Sequence, residues 1–193
     1  MTAFEHETLD RTERYAGPIF TVYSDKVTMS GGGTATRDVV RNKGAVGVVA
    51  LDDLDRVVLI KQYRHPVGER LWEIPAGLRD VQGEELVLTA RRELAEETDW
   101  AAGRFDLLLD LQTSPGFSDE TIRVFLARDL TPVPEDERHE RQDEEADLEI
   151  AWFELDEAVA MILRGEITNA STVAGLLAAA RTRDEGWATL RPA

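Results

Sequence analysis

Glu93, Glu96 and Glu97 sit within Arg92-Glu93-Leu94-Ala95-Glu96-Glu97, inside a run over 84–98 that holds neither Gly nor Pro. Helix formers dominate that run, and side chains three and four apart share a helical face. Glu93 and Glu97 therefore stack one turn apart, with Glu96 beside them. Such a row repels itself, and the residue four positions after Glu93 is another glutamate, not a Lys or Arg. Val87, Ala90 and Leu94 offer an apolar stripe that docks the opposite face into a core. Hard oxygen donors in this array suit Mg²⁺, with Mn²⁺ as a substitute, and a phosphate-bearing substrate. A solvated acidic face is the commoner reading of a Glu-rich helix, so the neighbouring sequence has to decide.

Composition narrows the choice. The 193-residue chain is 42% hydrophobic and 31% charged, as folded proteins are, but its net charge is −16. An acidic surface repels a polyanion, so no nucleic-acid partner is expected, and phosphate chemistry needs a local cation. There are no cysteines, which excludes disulfides, thiolate zinc sites and a cysteine nucleophile. His6, His65 and His139 are scattered and form no zinc-binding pair. Gly31-Gly32-Gly33 lacks the Lys-Ser/Thr of a phosphate loop, and neither Ser114 nor Ser118 lies in a Gly-x-Ser-x-Gly elbow. No apolar stretch approaches the ~20 residues that span a bilayer. A cytoplasmic protein without a membrane partner is expected.

The elements that position the glutamates follow from pattern. Residues 17–43 read as a β-hairpin, with strands at 19–28 and 34–41 about a turn at 30–33. The hairpin is too polar for a core of its own and pairs with another sheet, in this chain or in a second subunit. A main domain over 44–193 follows the N-terminal segment 1–43. Strands are expected at 45–51, 56–64 and 71–74. The helix 84–98 comes next, with Glu84 and Glu85 in its first turn to suit the dipole. Strands at 105–111 and 122–127 flank a loop at 113–118. An acidic, proline-containing loop over 131–147 leads to a strand at 148–153. Helices at 156–164 and 172–182 complete the domain, and the tail beyond Arg183 is expected to be loosely ordered. This mixed order gives an α+β or α/β/α sandwich class.

From Gly77 to Trp100 the sequence resembles the Nudix hydrolase signature G-x5-E-x7-R-E-U-x-E-E-x-G-U, where U is bulky and apolar. Glu84, Arg92, Glu93, Leu94, Glu96, Glu97 and Trp100 are in register. Gly77 stands one residue too far upstream, so the loop is longer. Asp99 replaces the glycine that ends the helix, and Asp is among the few residues that tolerate a left-handed cap. Gln62-Tyr63-Arg64-His65-Pro66, Leu71-Trp72-Glu73-Ile74-Pro75-Ala76-Gly77 and Ser114-Pro115-Gly116-Phe117-Ser118-Asp119-Glu120 look like the ADP-ribose pyrophosphatase branch, closest to its actinobacterial members.

That resemblance implies a Nudix α/β/α sandwich preceded by a small β-domain exchanged across a homodimer. It implies Mg²⁺-dependent hydrolysis of the diphosphate of ADP-ribose to AMP and ribose 5-phosphate. Glu93, Glu97 and the Ala76 carbonyl become metal ligands, and Glu96 a further ligand or the holder of a metal-bound water. Arg92 is structural, orienting a glutamate such as Glu84. The general base lies among Asp143, Glu144 and Glu145; the match favours Glu145, with a further metal ligand as the alternative role for it. Arg64 is a candidate for phosphate, against an ordinary ion pair at a strand end. Glu73 is a candidate for the nucleoside, with Trp72 the weaker one because a strand tryptophan is more often core. Phe117, Ser118, Asp119 and Glu120 are candidates to line the terminal-ribose side. Two alternatives stay open: hydrolysis of another nucleotide sugar such as GDP-mannose, and a silent domain that only binds nucleotide.

Overall fold

The computed structural model describes residues 5–79, 83–141 and 147–193. Two units are distinguished: the N-terminal segment through Gly44 with Gln112–Thr121, and Ala45–Leu111 with Ile122–Ala193.

In the first unit β1 (Thr8–Ala16), β2 (Phe20–Thr28) and β3 (Thr34–Asn42) pair antiparallel in that order. The expected hairpin is β2 and β3, turned by Gly32 and Gly33 at positive φ, where glycine has no Cβ to clash. The expectation had no counterpart of β1. That strand is exposed along its whole length, so it has no buried face and no apolar alternation to read. Polar cross-strand pairs hold it instead: Arg11 grips Asp25 through Nε and Nη2 at 2.8 and 2.7 Å, and Arg14 Nε donates to Ser24 Oγ at 2.9 Å.

The second unit carries β4 (Ala45–Ala50), β5 (Arg56–Arg64), β6 (Glu69–Glu73), β7 (Ala76–Leu78) and α1 (Leu86–Thr98). It continues through β8 (Trp100–Gln112), β9 (Thr121–Pro132), β10 (Glu149–Glu154), α2 (Leu155–Leu163), α3 (Ala170–Asp184) and β11 (Arg191–Pro192). Its sheets run β11-β8-β9-β4-β7 and β10-β5-β6, and β4 lies parallel to β9. Period-two alternation sorts the buried residues into two cores. Val46, Val48 and Ala50 of β4, with Phe125 and Ala127 of β9, pack with Ala90 and Leu94 of α1. Val49, Val124 and Leu126 pack instead with Leu155 and Ala158 of α2 and Leu176 and Ala179 of α3. Strands buried on both faces between helices make the expected α/β/α sandwich.

Three local expectations change. Helix α1 begins at Leu86, so Glu85 is its N-cap residue and no acidic side chain occupies the first turn. Strand β7 is too short to show a period. The tail is not loose: Arg191 and Pro192 pair with Leu107 and Asp106, and Arg128 lies 4.8 Å from the centroid of the Trp187 ring. Among the described residues no helix is long and apolar enough to cross a membrane.

The capped end of α3 fixes the approach to β7. Asn169 Oδ1 accepts from the backbone N–H and hydroxyl of Thr172, both at 3.0 Å, as an N-cap does. The same Thr172 oxygen accepts the Ile74 N–H at 3.0 Å, in full burial. Replacing Thr172 by Val would strand that donor, and an unsatisfied buried group costs about 1–3 kcal/mol. Urea unfolding of Thr172→Val should show a loss in that range, with Thr172→Ser much closer to wild type. A valine variant within about 0.5 kcal/mol of wild type, the range of an ordinary surface change, would show that this link is not needed.

Candidate active site

Three consecutive residues, Pro75, Ala76 and Gly77, bring backbone against the glutamate-bearing face of α1. The Pro75 carbonyl accepts the Val48 N–H at 2.8 Å, and β7 pairs with β4 at Gly47↔Ala76 and Val46↔Gly77. This short strand is thereby held to β4 at the edge of the five-stranded sheet. Glu97 Oε2 accepts the Ala76 N–H at 2.8 Å. A Cβ on Gly77 would fall on the carboxyl group of Glu93. Gly77 is not among the residues with positive φ, so glycine is needed there for space and not for backbone freedom. Both carboxylates are buried, Glu93 at 9% and Glu97 at 5% exposure, where polar groups require partners.

Arg92 supplies the positive charge. Its Nη1 donates to Glu93 Oε1 at 2.7 Å and to Glu96 Oε2 at 3.1 Å, while Nη2 lies 3.8 Å from Glu84 Oε2. The repulsion expected along the row is relieved from the residue before Glu93, not from the one four after it. Arg92 reaches the expected Glu84, but its shorter bonds go to Glu93 and Glu96. Burial works against its charge, and Glu93 and Glu96 outweigh that, so its pKa is raised. Glu84 in turn accepts from Thr89 Oγ1 at 2.7 Å.

Asp99 ends the helix as expected. It has φ 62° and ψ 26°, the left-handed conformation, and its N–H donates to the Ala95 carbonyl. Asp99 Oδ2 also lies 2.8 Å from Arg141 Nη2.

The remaining candidates divide into two groups. Arg64 and Glu73 bind each other in a fork, with Nε to Oε1 at 2.9 Å and Nη2 to Oε2 at 2.6 Å. Glu73 is buried, and Gln62 Nε2 stands 3.4 Å from the same Oε2. Arg64 also lines a cavity of about 610 Å³ with Tyr63, His65, Pro66, Arg70 and Asp147. Trp72 is half-buried and packs edge-on to Phe153 at 5.1 Å, a core tryptophan. Phe117, Ser118, Asp119 and Glu120 belong to the first unit and dock on β3. The Phe117 carbonyl accepts the Val40 N–H at 2.8 Å. Asp119 accepts from Arg41 Nη1 at 2.7 Å and from the Asn42 N–H at 2.9 Å. Burial opposes the charge of Asp119, but these donors prevail and hold its carboxyl below the usual range. Glu120 accepts from Thr113 Oγ1 and Asn42 Nδ2 at 2.6 and 3.0 Å. Asp143, Glu144 and Glu145 lie outside the described residues.

Sequence reasoning read Gly77 only as motif spacing and missed it as the seat of Glu93. Its signal was present, since a glycine opposite a carboxylate row marks close approach. Arg141 had no local signal, because its partners Glu96 and Asp99 are distant in sequence.

The donor set fits a hard divalent cation: the carboxylates of Glu93, Glu96 and Glu97 and the backbone carbonyl of Ala76 offer only oxygen. Among the described residues no three His, Asp or Glu side chains form a ready-made cation cage, and Arg92 holds two of the glutamates. The NUDIX domain model matches residues 41–176.

The chain belongs to the Nudix family.

It is 46% identical over 192 residues to an ADP-ribose pyrophosphatase of Mycobacterium tuberculosis, covering 100% of this chain and 91% of the relative. It is 34% identical over 172 residues to an ADP-ribose pyrophosphatase of Bacillus subtilis, covering 89% and 91%. A crystal structure of an ADP compounds hydrolase superposes with a TM-score of 0.83 at 23% identity, over 96% of this chain and 98% of that one, which shows the Nudix fold. The protein is thus a Nudix hydrolase, and Nudix hydrolases generally use a divalent metal.

Gly77→Ala tests the seat of Glu93. Overpacking of this kind costs about 1–3 kcal/mol, and turnover should fall because Glu93 must move. Unchanged urea stability together with unchanged activity would show that Glu93 does not depend on the missing Cβ.

Proposed function

We propose that the protein hydrolyses the diphosphate of ADP-ribose, with Mg²⁺, to AMP and ribose 5-phosphate. The observation that carries this reading is the burial of Glu93 and Glu97 against the backbone of Ala76 and Gly77. A fold retains buried carboxylates at a cost in stability, which points to use. The names of the Mycobacterium tuberculosis and Bacillus subtilis relatives support ADP-ribose as the substrate.

Glu93, Glu96, Glu97, the Ala76 carbonyl and Glu145 are read as the groups that hold Mg²⁺. Bound divalent ions neutralise diphosphate oxygens and acidify a bound water. Glu145 is read as the base: it takes a proton from the attacking water as the new P–O bond forms. The bridging P–O bond then breaks and its oxygen leaves with the other phosphate. Glu97 and Glu96 keep the reacting groups oriented from the helix. Arg64, steadied by Glu73, is read as the phosphate contact, because a guanidinium already held in a fork loses little freedom on binding. Phe117, Ser118, Asp119 and Glu120 are read as lining the terminal-ribose side.

The N-terminal segment 1–43 is read as a dimerisation domain exchanged between two copies. Leu9, Tyr15, Ile19 and Phe20 are exposed there, and apolar exposure of this kind favours a partner surface.

Incubation with Mg²⁺ and ADP-ribose, followed by product separation, should yield AMP and ribose 5-phosphate in equal amounts. No AMP at micromolar enzyme contradicts the reading. Glu97→Gln should lose at least about 100-fold in turnover, the scale of one electrostatic group in a reaction centre, while its circular dichroism stays native. A fully active Glu97→Gln would remove Glu97 from the metal site.

A further inference from the structure

The proposed base belongs to a segment whose two flanking residues, Arg141 and Asp147, are both described, and each joins an arginine–carboxylate pair. At the far flank Arg70 Nη1 donates to Asp147 Oδ2 and Nη2 to the Asp147 carbonyl, both at 2.7 Å. The Asp147 side chain is 69% exposed, and pairs this open contribute little.

The near flank differs. Arg141 Nε donates to the Glu96 carbonyl at 3.0 Å, and Nη2 lies 2.8 Å from Asp99 Oδ2, with both side chains only 22% exposed. The Glu96 carbonyl is one of the last four of α1, which find no acceptor role inside the helix. No basic residue stands in the last turn of α1, so Arg141 also supplies the cation that this end of the dipole favours. Position 99 completes the arrangement. Glycine, the residue of the Nudix motif, would cap the helix but could not pair with an arginine. Asp99 does both.

We propose that Arg141 is a positioning residue for the hydrolysis. Through the Glu96 carbonyl and the Asp99 carboxylate it ties the chain entering the acidic segment to the end of the helix that bears Glu93, Glu96 and Glu97. The role rests on the reading of the acidic segment as the source of the base. Geometry favours coupling over simple capping, because one guanidinium engages both the Glu96 carbonyl and the Asp99 carboxylate. It so adds a second link to the one that the Val133 N–H makes to the Asp99 carbonyl at 2.9 Å.

The test uses the full chain as wild type, Arg141→Gln, Arg141→Lys, Asp99→Gly and the double variant Asp99→Gly/Arg141→Gln. Amide hydrogen exchange at residues 96–100 is followed without metal or nucleotide, and kcat and KM are measured with ADP-ribose and Mg²⁺. Arg141→Gln should exchange faster at the end of α1 and lose about 10–100-fold in kcat, as supporting residues of metal sites do. Its KM should move by less than about threefold, since no substrate contact is removed. Arg141→Lys should recover part of kcat, because an ammonium reaches one of the two partners. Asp99→Gly should also lose kcat, and the double variant should be no worse than Arg141→Gln, as partners in one contact are not additive. A wild-type kcat in Arg141→Gln, a loss confined to KM, or multiplying losses in the double variant would overturn the proposal. If wild type leaves ADP-ribose intact, the functional reading fails by itself. Hydrogen exchange then judges the clamp separately, and unchanged exchange in Arg141→Gln overturns it.

Discussion

The carboxyl group of Glu93 occupies the space where any residue but glycine at position 77 would carry its Cβ, and this close approach of helix to strand governs the arrangement around it. Helix α1 must lie near enough for Glu97 to take the Ala76 N–H. Leu94 and Ala90 press it there from the opposite face, fully buried against Val46, Val48 and Phe125. The strand end cannot retreat, because β4 holds Pro75 and Gly77 while Thr172 holds Ile74. Sandwich, cap and seat therefore form one mechanical chain from α3 through β7 to α1.

Electrostatics runs against this packing and shows what it is for. The chain carries −16 net charge, and three glutamates share one helical face. Taking carboxylates out of water is costly unless each gains hydrogen bonds or an opposite charge. Glu97 has a backbone donor, and Glu93 and Glu96 share Arg92. An apolar face would hold the helix without that cost, which supports the proposed use of these groups in the reaction. A cation taken up as proposed would displace the Arg92 guanidinium from Glu93 and Glu96 and find oxygen donors on one helical face.

Legibility in the sequence followed the strength of the physical signal. Strand β5 is readable end to end because its apolar run is bounded by turns, and α1 because its composition excludes Gly and Pro. Strand β1 is hidden because nothing along it is buried, and β7 because three residues hold no period. In the site, helical spacing puts Glu93, Glu96 and Glu97 on one face, while their candidacy and the left-handed turn at Asp99 are legible from the motif around them. The Arg64–Glu73 fork and the clamp of Arg141 are pairings across space, set by side-chain direction in the folded chain. Local pattern carries no trace of them. Trp72 followed the ordinary rule for a strand tryptophan and joined the core.

The most direct test of the central claim is manganese(II) binding to the nucleotide-free protein, followed by electron paramagnetic resonance. Wild type should bind Mn²⁺ saturably. Glu93→Gln/Glu97→Gln should weaken that binding by at least about tenfold, the lower bound for disturbing a metal site through its supporting groups. Equal binding by wild type and the double variant would contradict the assignment of these buried carboxylates as the metal site.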